Sequence, residues 1–148
     1  PFARQANAVD VEVHGVEAIY GWRLSTIEVT ASYAFLDKTA DYGSADVDAS
    51  FYALNFARHR ATLALTWQPV ESLRLYLDTE YRIHEKNALR QSGDEACLIS
   101  ASIAWRPSAW RQGRFMLVTD NLLDDDFQEF PGTPPMGRQV SLGLSLNW

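Results

Sequence analysis

From Leu73 to His84 the chain alternates with a period of two. Leu73, Leu75, Leu77, Thr79, Tyr81 and Ile83 fall on one side of an extended backbone, and Arg74, Tyr76, Asp78, Glu80, Arg82 and His84 on the other. A strand with one uncharged face and one highly charged face cannot lie between two apolar layers. Its two sides meet different media. The same pattern closes the chain, where Val140, Leu142, Leu144, Leu146 and Trp148 are separated by Ser141, Gly143, Ser145 and Asn147.

Repeated along the sequence, this alternation predicts seven strands, at about 9–22, 25–37, 58–68, 72–85, 95–106, 113–121 and 137–148. No helical period of comparable length interrupts them. Tight connections ("GWRL", "QPVES", "PSAWRQ") alternate with long polar ones ("DKTADYGSADVDASFYALN", "HEKNALRQSGDE", "LLDDDFQEFPGTPPM"). Short turns on one side and long loops on the other predict an all-β, antiparallel, up-and-down transmembrane β-barrel.

Composition agrees with a folded chain and narrows its partners. The 148 residues are 47% hydrophobic, enough for one ordered domain, and the net charge of -6 argues against nucleic acid, whose binding needs a basic surface. No apolar run is long enough for a transmembrane helix, which needs about 18 residues or more. "PFARQANAVD" lacks the basic start and apolar stretch of a secretory signal, so an exported protein is expected to have lost its true beginning here. Cys97 is the one cysteine, so no internal disulfide can form, and it is expected to act as a small apolar side chain.

A symmetric turn around Pro69 to Glu71 would place Leu63 opposite Leu77, Leu65 opposite Leu75 and Trp67 opposite Leu73. On the other face Arg60 would then meet Glu80, and Thr62 would meet Asp78. A one-residue slip would move those charges to the apolar side. Trp22, Trp67, Trp105 and Trp148 close strands on the short-turn side, with Trp110 in a short turn. Tyr33, Phe35 and Tyr81 lie near the opposite ends. Two aromatic bands with aliphatic residues between them fit the two interfaces of a membrane.

The segment "NLLDDDFQEFPGTPPMGRQVSLGLSLNW" resembles the C-terminal end of TonB-dependent outer-membrane receptors, with matches at Asn121, Leu122, Leu123, Asp124, Phe127, Pro131, Gly132, Gly137 and Arg138. Leu123 stands where that family often has an aromatic. Upstream, "VEVHGVEAIYGW", with Gly15, Val16 and Glu17, and the strands "ASYAFLD" and "ARHRATLALTW" are similar to successive barrel strands of the family. The resemblance implies that residues 1–148 are the C-terminal portion of a barrel of about 22 strands, with the plug and the TonB-contacting segment outside this sequence. The implied function is uptake of a scarce solute, such as a ferric siderophore, vitamin B12 or a glycan, across the outer membrane of a Gram-negative bacterium. Implied partners are outer-membrane lipid, a small-molecule substrate, the TonB complex through the missing N-terminal part, and the outer-membrane assembly machinery. Val140, Leu142, Leu144, Leu146 and Trp148 would form the signal that this machinery reads.

Strand direction places Arg58, Arg60, Arg82 and His84 together on the lumen-facing side near the long loops, beside Lys86 and Arg90. They are the candidate ligand-binding residues, with anionic solutes as the expected class. Neutralisation of these arginines within the wall by Glu80, Asp78 and the plug is the competing expectation. No catalytic residue, metal site or cofactor is expected. His14, His59 and His84 lack ligand spacing, and "LLDDDF" lacks the glycine and terminal glutamate of a calcium loop. Two other architectures fit the alternation: a self-contained eight-stranded outer-membrane barrel with a structural or adhesive role, and a soluble lipocalin-like binding barrel.

Overall fold

The computed structural model describes residues 10–44, 57–86, 90–130 and 132–147. It contains one antiparallel sheet of seven strands in sequence order: β1 (Asp10–Arg23), β2 (Ile27–Asp41), β3 (Ala57–Val70), β4 (Leu73–His84), β5 (Glu95–Trp105), β6 (Gly113–Asp120) and β7 (Gln139–Leu146). No helix occurs among the described residues. All seven expected strands are present. The largest difference at an end is in β2, which runs on to Asp41 because its last residues pair with the start of β1, Asp10 opposite Asp41.

Register sorts the side chains cleanly. Rows such as Tyr33, Ala61, Tyr81 and Cys97, or Leu73, Trp105, Phe115 and Leu144, run across neighbouring strands on one face. Arg60 and Arg82, Thr62 and Glu80, and Ala64 and Asp78 pair on the other. Between the Phe35 row and the tryptophan rows, the first face carries no charged side chain among the described residues. From Tyr81 to Leu73 this band spans roughly 27 Å along the strand at about 3.4 Å per residue, or roughly 20 Å across a layer met at about 40° tilt.

The β3–β4 register differs from the symmetric turn expected above. Leu65 lies opposite Leu77, Trp67 opposite Leu75 and Leu63 opposite Thr79, a slide of two residues that leaves every side chain on its expected face. The turn closes tightly at Glu71–Ser72, and an irregularity between Trp67 and Val70 absorbs Gln68 and Pro69. Pro69 has no N–H to give a ladder, which suits it to such a bulge. The Gln68 amide bonds instead to the Thr26 carbonyl of the neighbouring turn at 2.7 Å.

Packing within the sheet leaves the apolar face uncovered. Among the described residues the buried apolar ones are Ala96, Ala104 and Phe127. Leu142 is 85% exposed, and Ile103, Trp105, Phe115 and Leu117 are exposed beside it. Where close packing does occur on the short-turn side, it is aromatic. Trp105 stacks on Phe115 at 5.8 Å, Trp110 meets the same ring edge-on at 5.6 Å, and Gly113 leaves the space that Trp110 fills, since a Cβ there would come within 2.5 Å of the indole.

Candidate functional site

Over β1–β4 the sheet curls toward its charged face. A hollow of about 740 Å³ takes its lining from all four strands β1–β4, including Gly15, Leu36, Arg60, Glu80, Arg82 and His84. Strands that are three positions apart can share one hollow only if the sheet curls toward that side.

Inside it the arginines are compensated. Glu80 accepts from Arg60 at 2.5 Å and lies 3.1 Å from Arg82 Nε, and Arg82 Nη1 donates to both oxygens of Glu129, at 3.0 and 2.9 Å. Because Glu80 sits opposite Thr62, its bond to Arg60 is a diagonal one. Arg90, with its side chain fully buried, pairs with Asp94 at 2.6 Å.

Phe127 is the wedge of this end of the sheet. Its ring lies 5.0 Å from the His84 imidazole, with the guanidinium groups of Arg82 and Arg90 at 5.9 and 5.1 Å. Guanidinium planes over an aromatic face gain from the ring quadrupole while their edges remain bonded to carboxylates. His84 is buried, and neither of its ring nitrogens has a hydrogen-bond partner among the described residues.

The loop after β6 explains why these residue types stand together. β5 pairs with β6 only from Ala101 to Trp105, so the first half of β5 would expose an unpaired edge. Asn121 and Asp124 adopt positive φ, 50° and 58°, and fold the loop back along that edge. The Leu122 amide then bonds to the Ile99 carbonyl at 2.7 Å, and the Cys97 amide to Asp125 Oδ2 at 2.9 Å. Buried Asn121 locks the turn, accepting from the Asp125 amide at 2.9 Å and donating to the carbonyls of Asp125 and Met136 at 2.8 and 2.6 Å. Asp124 Oδ1 accepts from the Arg138 amide at 2.8 Å, which sets the entry into β7.

The residues expected from sequence separate into groups. Arg60, Arg82 and His84 line the same hollow. Arg58 does not join them: the bulge between Ala57 and His59 offsets it, and it lies 5.8 Å from the Phe35 ring and 3.2 Å from Asp37 Oδ1. Asn121, Asp124, Phe127 and Arg138 form the folded-back loop. Leu122 and Leu123 are exposed, Gly132 has φ 83°, and Gly137 lies in the stretch leading to β7. Val140, Leu142, Leu144 and Leu146 share the apolar face, while Pro131 and Trp148 lie outside the described residues. Sequence reasoning missed Asp125, Gln128 and Glu129. The one available signal was the acidic run after Asn121, weighed there only against a calcium loop. Among the described residues, no group of three or more His, Cys, Asp or Glu side chains is placed to hold a metal ion.

No protein-family model matches this sequence, and no curated protein matches it.

Proposed function

We propose that this chain is the C-terminal part of the β-barrel of a TonB-dependent outer-membrane receptor, which takes up a scarce solute with energy supplied through TonB. The observation that carries the reading is the relation between curvature and polarity. Over β1–β4 the sheet curls toward its charged face, and the opposite face is apolar, exposed and bounded by aromatic rows. In a soluble lipocalin-like barrel the apolar face would turn inward, whereas a barrel in lipid puts it outward. β1 and β7 run in the same direction, so an all-antiparallel closure requires further strands between them. That requirement favours a larger barrel. On this reading the Arg60, Arg82 and His84 hollow faces the lumen near the extracellular loops and is the solute-facing wall.

Reconstitution in vesicles with brominated acyl chains tests the lipid contact. Fluorescence from Trp67 and Trp105 should be strongly quenched, and Trp→Phe variants assign the signal. An unquenched protein that is monodisperse without detergent overturns the membrane reading. For transport, a cell lacking the full-length receptor should lose proton-gradient-dependent accumulation of its solute, and Arg82→Ala with Arg60→Ala tests recognition by this wall: weaker solute binding with folded receptor retained is expected. Unchanged affinity leaves these side chains a structural role only.

A further inference from the structure

Six of the ten arginines among the described residues carry a carboxylate partner: Arg23, Arg58, Arg60, Arg82, Arg90 and Arg138. The remaining four, Arg74, Arg106, Arg111 and Arg114, have no ion pair among the described residues, and all four lie at the short-turn end. Arg74, Arg106 and Arg114 line one hollow of about 200 Å³. Arg106 and Arg111 line a second of about 310 Å³, which shares Glu71, Ser72 and Arg106 with the first.

We propose that this joined hollow binds a phosphate group. In a protein of net charge -6, four guanidinium groups without a carboxylate partner around one small recess set up a local positive field that draws an anion. Glu71 is the one carboxylate in either lining, so the recess keeps a positive excess. Local bonds order the backbone and one guanidinium group at this end. The Arg106 amide bonds to the Ser72 carbonyl at 2.8 Å, which fixes the start of the turn, and Arg74 Nη2 donates to Gln68 Oε1 at 2.9 Å, leaving its other donors available. Converging planar forks suit the tetrahedral oxygens of a phosphate, which can accept several charge-assisted bonds at once. The Ser72 hydroxyl, also in the lining, adds a neutral donor. A recess of this size admits one phosphate group with part of its substituent. That group belongs either to a soluble phosphate compound or to a lipid headgroup reaching the short-turn rim.

The test uses the folded protein in dodecyl maltoside, which carries no phosphate, and isothermal titration at low ionic strength. One arm adds inorganic phosphate; the other adds short-chain phosphatidylglycerol. Saturable binding is expected in at least one arm, weakened at least about tenfold by Arg106→Gln with Arg114→Gln. Arg23→Gln, which alters an ion-paired arginine away from the recess, should leave it unchanged. Binding of inorganic phosphate supports a soluble phosphate compound, and binding of phosphatidylglycerol alone supports a lipid headgroup. No saturable binding in either arm overturns the proposal, as does equal affinity in the double variant. If that variant fails to migrate as a folded barrel on an unheated gel, Arg111→Gln, which lies in the turn and outside any strand, carries the comparison. The outcome does not depend on the receptor reading, which the quenching experiment tests separately.

Discussion

The Oδ2 oxygen of Asp125 accepts a hydrogen bond from the amide of Cys97, 28 residues earlier in the chain, while its Oδ1 accepts from the amide of Phe127. One carboxylate therefore closes an open sheet edge and aims the aromatic wedge. Asp125→Ala leaves the half-buried Cys97 amide unpaired and should cost about 1–3 kcal/mol. The expected result is a lower thermal midpoint in detergent and faster hydrogen exchange at the Cys97 amide. Unaltered exchange there would show that the edge is satisfied in another way.

Phe127 packs against His84 and two guanidinium groups in the most buried part of the structure. Removing the ring in Phe127→Ala should destabilise the long-loop end by about 3 kcal/mol, near the lower end of the range for aromatic truncation. Limited proteolysis should then cut between residues 121 and 138, while Phe127→Leu should protect most of that segment. Equal resistance of Phe127→Ala and the parent protein would contradict the wedge role.

Adjacent positions on β3 separate the membrane reading from a soluble one. Leu65 lies on the apolar face and Ala64 on the charged face. In lipid, Leu65→Arg should cost about 2–4 kcal/mol, whereas Ala64→Arg should be close to neutral. Urea or heat titration of the protein folded in vesicles measures both. Similar, small effects at the two sites would mean that neither face meets hydrocarbon.

Trp148 ends the alternating series that begins at Val140. If the series directs assembly, Trp148→Asp in the full-length protein should lower the heat-modifiable, folded form in the outer membrane several-fold without lowering synthesis. Ser145→Asp, on the opposite face of β7, should have a smaller effect. Normal levels of folded Trp148→Asp protein would remove the assembly role.

The sequence by itself determined the strands and their faces, because a period of two needs no partner to be read. Leu73 to Ile83, Val140 to Leu146 and the arginines on the opposite side all follow from it. It also determined the short-turn and long-loop ends, since turn chemistry is local. What only the tertiary structure decided depends on groups far apart in the chain. The β3–β4 register slid by two residues because the bulge at Gln68 and Pro69 conserves face but not partner. Arg58 left the hollow through a second bulge, and Arg82 found Glu129, 47 residues away. Asp125 reached Cys97 because β6 is too short to cover β5, and a sequence pattern does not record which edge a loop must satisfy. The four uncompensated arginines likewise come from separate turns and strands. Only sheet curvature and register bring them to one recess.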